Sequence, residues 1–297
     1  MWGGSVVRRG GSLSGLLLLM LLLGSCRTIP PSVPGAGVRP PAPTFAVYYG
    51  ERPRPMALAR FDWAIVPDDV PLPSGGKTVY FAYLSVGEVD AGSAVARALA
   101  ALPGGVESVS LGRNAFWHST VADVRKEALR QVLLARVVRD AKRGFGGLFL
   151  DTPDSPLAYR EAHPRRGRGI RRALLSLIGI VHASYPGLRI VVNRGFEILP
   201  EIAPDLAGVL YEDFCSRYDE KTRRYVVVPE AERARILPAI MRARRRNPSL
   251  ALLALDYDDP AHPVFQKRCR ALARSLGFAH FDSDVALDRI GRPEGGR

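Results

Sequence analysis

Lysine, histidine and cysteine are scarce in this chain of 297 residues, and each scarcity excludes something. Five of the 42 basic side chains are Lys (77, 126, 142, 221 and 267), so the net charge of +13 is carried almost wholly by Arg. Three Cys exclude a disulfide-dense scaffold. Neither they nor the five His (118, 163, 182, 262 and 280) fall into H-E-x-x-H or C-x-x-C spacing, so no metal site is expected. There is no G-x-S-x-G elbow for a serine nucleophile, and no G-x-G-x-x-G turn follows the first strand-like run, so no nucleotide cofactor is implied. The longest apolar run, Leu16–Leu23, has eight residues, against about 20 needed to span a bilayer as a helix. Basic runs interleaved with aromatics, the mark of single-strand nucleic-acid binders, are missing. Nucleic acid is therefore not an expected partner, and the positive charge reads as a solvated, Arg-biased surface. Attraction to an anionic polymer is the competing reading, and it rests on net charge alone. A hydrophobic fraction of 47% is ample for a core.

The first residues form an export signal. Arg8 and Arg9 precede Leu16–Leu23, and the segment ends in Leu23-Gly24-Ser25-Cys26, which resembles a lipobox, with small residues admitting a signal peptidase and Cys26 taking the lipid. A twin-arginine export route is the weaker alternative. Residues 27–43 hold six Pro and two Gly, a composition for an extended tether rather than a helix or ladder. The expected organisation is a lipoprotein signal peptide over 1–25, lipidated Cys26 and tether over 26–43, one domain over 44–290 and a polar tail over 291–297. The chain is expected to be exported and lipid-anchored to the bacterial cell envelope, touching the membrane through the anchor alone, as a monomer. Cys215 and Cys269 remain after the signal; a disulfide and two buried thiols are both open.

From Thr44 onward, apolar runs of strand length alternate with amphipathic stretches. The runs are Phe45–Tyr49, Trp63–Val66, Val79–Ser85, Gly147–Leu150, Leu188–Val192, Gly208–Tyr211, Leu250–Leu255 and Phe278–Phe281. They are nearly continuous rather than alternating, as in parallel strands covered on both faces. Helices are predicted over Val121–Arg143, Ile170–Ser184, Pro229–Arg246 and Val264–Leu276. Eight strands and intervening helices over about 250 residues fit an α/β fold of the (β/α)8 TIM-barrel type. An open doubly wound sheet is the runner-up.

In such a barrel the chemistry collects at the C-terminal strand ends. Those ends read Ser85-Val-Gly-Glu88, Asp151-Thr-Pro-Asp154, Asn193-Arg194-Gly-Phe-Glu197, Tyr211-Glu212-Asp213, Asp256-Tyr257 and Asp282, with Tyr48 and Tyr49 after the first strand. Strand 2 adds Asp68 and Asp69. An acidic, Tyr-lined bowl on so basic a chain suits glycoside hydrolysis, in which one carboxyl protonates the leaving oxygen and the other attacks or activates water. A long segment from Asp90 to Thr120, with Trp117 and His118, reads as a wall beside the bowl.

Tyr83-Leu-Ser-Val-Gly-Glu88, Gly144-Phe-Gly-Gly-Leu-Phe-Leu-Asp-Thr-Pro-Asp154, Val192-Asn-Arg-Gly-Phe196, Val209-Leu-Tyr-Glu212 and Leu255-Asp-Tyr257 together resemble glycoside hydrolase family 114, the endo-α-1,4-polygalactosaminidases. The resemblance runs from about Phe45 to Asp282. It implies a barrel that cuts a galactosamine-containing polysaccharide internally, without a cofactor. It also implies a catalytic acid at the end of strand 4, where Asp151 and Asp154 both stand, paired with Glu212 at the end of strand 6. Asp154 is taken as the nucleophile, Asp151 as a residue that orients its neighbours, and Glu212 as the general acid/base. Tyr48, Glu88, Asn193, Arg194, Tyr211, Asp256 and Tyr257 are expected to line the sugar subsites. A non-catalytic polysaccharide-binding lipoprotein with the same barrel is the alternative.

Overall fold

Eight apolar runs pair in sequential order into one parallel sheet: β1 Phe45–Val47, β2 Trp63–Val66, β3 Val79–Ser85, β4 Gly147–Asp151, β5 Arg189–Asn193, β6 Gly208–Glu212, β7 Ala251–Tyr257 and β8 Ala279–Ser283. The computed structural model describes residues 42–52, 54–259, 261–291 and 293. The signal segment, Cys26, nearly all of the tether and most of the tail lie outside these. The sheet curls until its ends meet: the Phe45 and Phe281 rings stand 5.8 Å apart, and Phe61 lies edge-on to Phe281 at 6.0 Å. The fold is a nearly closed (β/α)8 barrel.

The strands are buried along almost their whole length, because the barrel interior covers one face and helices cover the other. Gly147 lies beside Phe81 in the ladder. A Cβ there would sit 2.4 Å from the Phe81 ring, so the absent side chain makes room for Phe81 in the interior. Helices α1 Ala94–Ala100, α2 Glu127–Lys142, α3 Asp154–Ala162, α4 Ile170–Ser184, α5 Glu230–Arg246 and α6 Gln266–Ser275 lie in the later connections. The link between β2 and β3 carries no helix, and those after β1 and β5 carry only short helical turns.

The predicted helix Val121–Arg143 is corrected at its start. Residues Ser119–Ala122 form a strand that pairs antiparallel with Ser110–Asn114 and with Glu88–Val89. The Asp123 carboxylate then accepts the Arg125 backbone N–H at 3.1 Å and its guanidinium at 2.8 Å, turning the chain before α2 begins. The long segment after β3 is therefore a small three-stranded sheet with α1 packed into it, built over the C-terminal end of the barrel.

Cys215, just past β6, is joined to Cys269 on α6, with Cα atoms 5.3 Å apart and a sequence separation of 54. Of the two states left open by the sequence, the structure has the disulfide. Closing a loop of that length restricts the unfolded chain by about 4 kcal/mol. Cys269→Ala in the full chain, followed by urea unfolding, is expected to lose most of that stability. Wild type in reductant should match the variant; an unchanged midpoint in either would contradict the bridge.

Candidate active site

Ladder register decides which strand-end side chains meet. Residues paired across parallel strands point to the same side of the sheet, and successive residues alternate. The pairs Val47–Ile65, Ile65–Phe81, Ser85–Asp151, Phe149–Val191, Asn193–Leu210, Leu255–Glu212 and Tyr257–Ser283 put one parity class on the inner face all the way round. Tyr49, Tyr83, Ser85, Asp151, Asn193, Glu212 and Tyr257 belong to that class, and all of them line one bowl of about 380 Å³ at the C-terminal strand ends. That volume suits a small-molecule or sugar-unit site.

The same alternation corrects three expected subsite residues. Tyr48, Tyr211 and Asp256 are each one step out of phase and face away from the bowl. Tyr48 is buried and donates its hydroxyl to the Arg52 carbonyl at 2.7 Å. Tyr211 packs edge-on against Phe196 and Phe214 under the outer layer. Asp256 accepts the backbone N–H groups of Cys215 and Ser216 at 2.6 and 2.9 Å and meets His280 Nε2 at 3.0 Å. Asp256 thus fixes the turn after Glu212 from behind. Asp282 also points outward, accepting from Gln266 on α6, and Asp68 is held by Arg136 and Arg139.

Inside the bowl, one amide joins two acids. Asn193 Nδ2 donates to Asp151 Oδ1 at 2.9 Å and to Glu212 Oε2 at 2.7 Å. The remaining oxygens are held by phenols: the Tyr83 hydroxyl donates to Asp151 Oδ2 at 2.8 Å, and the Tyr257 hydroxyl donates to Glu212 Oε1. Asp154 is placed differently from the expectation. It opens α3, and its carboxylate takes the Arg194 Nε–H at 3.1 Å, while Arg194 Nη1 donates to the Glu212 main-chain carbonyl at 3.2 Å. Asp151, expected to orient its neighbours, is the acid that shares a donor with Glu212, and Asp154 is the one in an ion pair. Glu88 is buried in the wall, accepting from Asn114 at 2.9 Å and from the hydroxyls of Ser119 and Ser155.

Three site strands end in the same strained turn. Thr152, Arg194 and Asp213, which directly follow Asp151, Asn193 and Glu212, have φ of 62, 58 and 58°. Left-handed backbone is unfavourable by about 1–2 kcal/mol for a side chain with a Cβ. Its occurrence at three neighbouring strand ends is the kind of stored strain that collects at functional sites.

Electrostatics follow from burial. The Asp151 carboxyl is pushed up to about 6, first by desolvation and then by the nearby Glu212 charge, with the Asn193 and Tyr83 hydrogen bonds opposing. Asp213 is pushed up to about 7, again by burial and then by Glu212. Burial also raises Asp154, against the pull of Arg194. Tyr49 and Tyr257 are raised well above the usual phenol value by burial and by the bowl carboxylates, so both stay neutral donors. Arg194 is the one basic side chain lining the bowl among the described residues.

Among the described residues, one group of three side chains has metal-ligand spacing: Cys215, Asp256 and Cys269. Its sulfurs are joined to each other, and Asp256 is occupied by backbone N–H groups, so the group reads as the disulfide and its turn. Tyr49 and Trp117, named at the first strand end and in the wall segment, both line the bowl, whereas Tyr83, Asn114 and Ser155 were not singled out by the sequence as bowl residues. Strand parity counted back from Ser85 at the end of β3 would have found Tyr83. The others depend on the course of the loops.

The family pattern of glycoside-hydrolase family GH114 matches residues 44–295. The chain belongs to that family. The glycoside hydrolase domain of PelA from Pseudomonas aeruginosa is 36% identical to this GH114 chain, covering 84% of it and 98% of that domain, with a TM-score of 0.72. Aspergillus fumigatus Ega3, solved in complex with galactosamine, shares 12% identity over 84% of this chain and 94% of its own, with a TM-score of 0.61, and so supports the fold alone. No curated protein matches. The GH114 chain is a glycosidase, and its bowl is the candidate site for that chemistry.

The Asp151 environment predicts a trade of stability for charge. Folded Asp151 titrates near 6 instead of 3.8, so the folded state holds this proton more tightly than the unfolded one. That contribution is complete below about pH 4 and is lost as pH rises through 6. Asp151→Asn removes the loss. It should be about 1–3 kcal/mol more stable than wild type in urea at pH 8, with the gap closing toward pH 4. An equal difference at both pH values would contradict this.

Proposed function

We propose that this GH114 chain is an endo-acting hydrolase of α-1,4-linked galactosamine and N-acetylgalactosamine polymers, working with retention through Asp151 and Glu212. The observation that carries this reading is the Asn193 amide shared by the two acids. Oxygens that both bond one nitrogen lie within about 5.6 Å of each other, which fits the ~5–5.5 Å separation of retaining pairs better than the ~6.5–9.5 Å of inverting ones. The substrate class is supported by the acidic bowl, which suits a cationic amino sugar. It is further supported by the likeness to the PelA hydrolase domain and by the fold shared with Ega3, a protein solved with galactosamine.

In this mechanism the ionised Asp151 attacks the anomeric carbon while Glu212 gives its proton to the departing glycosidic oxygen. The bond to the leaving chain breaks as the glycosyl ester on Asp151 forms. Glu212, now a carboxylate, takes a proton from water, whose oxygen displaces Asp151 and restores the original anomeric configuration. Asn193 holds both oxygens in register, and Tyr83 and Tyr257 donate to the charges that change during the cycle. Asp154, through Arg194, is assigned the positioning of the Glu212 backbone. The same proposal places the enzyme outside the cytoplasm, anchored by lipid on Cys26. The disulfide supports an oxidising compartment.

The test is reducing-end release from partly deacetylated α-1,4-galactosamine polymer by the full chain. Glu212→Gln and Asp151→Asn are each expected to lower kcat/KM by about 10³-fold or more, and Asp154→Asn by about tenfold. Because Asp151 must be ionised to attack, kcat/KM should also fall as pH drops below about 6. Activity retained by Asp151→Asn but abolished in Asp154→Asn would reverse the assignment.

A further inference from the structure

Two aromatic side chains stand in water at the tip of the hairpin built over the bowl. Phe116 is 53% and Trp117 60% exposed, their rings packed edge to face at 4.7 Å. The other large apolar side chains that are exposed among the described residues are scattered singly; these two are adjacent, and Trp117 lines the same bowl as Asp151 and Glu212. A hairpin tip with no ligand to meet would carry polar turn residues.

The tip is also held in place. Asn114 Oδ1 accepts the backbone N–H groups of Phe116 and Trp117 at 3.1 and 3.4 Å. The Asn114 amide nitrogen donates to Glu88 at 2.9 Å, and Glu88 is anchored by Ser119 and by Ser155 at the start of α3. His118, with φ of 52°, turns the chain back into the ladder. The aromatic pair is therefore tied through one buried carboxylate to the helix that begins just after Asp151. Such a platform loses little conformational entropy when a ligand stacks on it.

We propose that Trp117, braced edge-on by Phe116, is a stacking platform at the rim of the catalytic bowl for an amino-sugar unit next to the reacting one, and that it makes the enzyme favour long chains over short ones. The proposal rests on the glycosidase reading for its ligand class. A pyranose presents a C–H face to the indole, and a protonated amine adds attraction to the ring quadrupole. Asp90 and Glu88 in the adjoining wall supply negative charge for the same amine. A chain must extend past the reacting bond to reach the platform, so the gain goes to polymer and not to short oligomers.

The test compares the full chain with Trp117→Ala and Asn114→Ala on galactosamine polymer and on the shortest oligosaccharide that is cleaved. Trp117→Ala is expected to raise KM on polymer about tenfold, leaving kcat and the short-oligomer kinetics within about twofold. Asn114→Ala should show the same split more weakly. Independently, long oligosaccharide added to Glu212→Gln should change an indole emission that disappears in Glu212→Gln with Trp117→Phe. Equal losses on long and short substrates, or no Trp117-dependent emission change beside normal cleavage, would overturn the platform alone. An emission change without cleavage by wild type would keep the platform and overturn the hydrolytic reading. Neither cleavage nor emission change would overturn both.

Discussion

One side-chain amide organises the centre of this molecule. Asn193 stands at the end of β5, between the strands that carry Asp151 and Glu212, and donates to both carboxylates. Two buried acids so close repel each other, and part of that repulsion appears as the raised Asp151 titration. The amide offsets it with two charge-assisted bonds, and the Tyr83 and Tyr257 hydroxyls satisfy the outer oxygens. Among the described residues, neither acid has a lysine or arginine side chain as its partner. In the proposed mechanism both carboxylates are thereby left open to a cationic sugar and able to exchange protons, which a tight ion pair would prevent.

The surroundings fix that arrangement from two sides. From within, register sets Asp151, Asn193 and Glu212 on the inner face of three neighbouring strands, and a left-handed residue after each one bends the chain away. From behind, Asp256 holds the backbone beyond Glu212, and the Cys215–Cys269 bridge ties that turn to α6. Asp256 is thus a support for the turn after Glu212 and faces away from the bowl. Arg194 is the counterpart at the rim, joining Asp154 to the Glu212 carbonyl.

Much of this was legible in the sequence. Continuous apolar runs of strand length, spaced by helices, gave the barrel. The polar residues after each run marked the correct end of it, including Glu212, Asn193, Arg194, Glu88 and Tyr257. The same continuity hid the rest. When both faces of a strand are apolar, no alternation marks the inner face, so the sequence does not separate Tyr49 from Tyr48, nor show that Tyr211 and Asp256 face outward. The choice between Asp151 and Asp154 turns on a strained Thr152 and on the partner of Arg194, neither of which spacing reports. Asn114 lies in a hairpin whose strands are short and polar and whose last strand has the pattern of a helix start, so the sequence marks the wall and Trp117 but not the hairpin that holds them.

The central claim is that Asp151, brought to Glu212 by Asn193, carries the covalent step. The most direct measurement is peptide mass spectrometry of wild-type chain after reaction with a 5-fluoro galactosaminyl fluoride, which traps a glycosyl ester by slowing its hydrolysis. The account predicts one added sugar mass on Asp151. An ester on Asp154 would contradict it, as would turnover of the reagent with inverted configuration and no adduct.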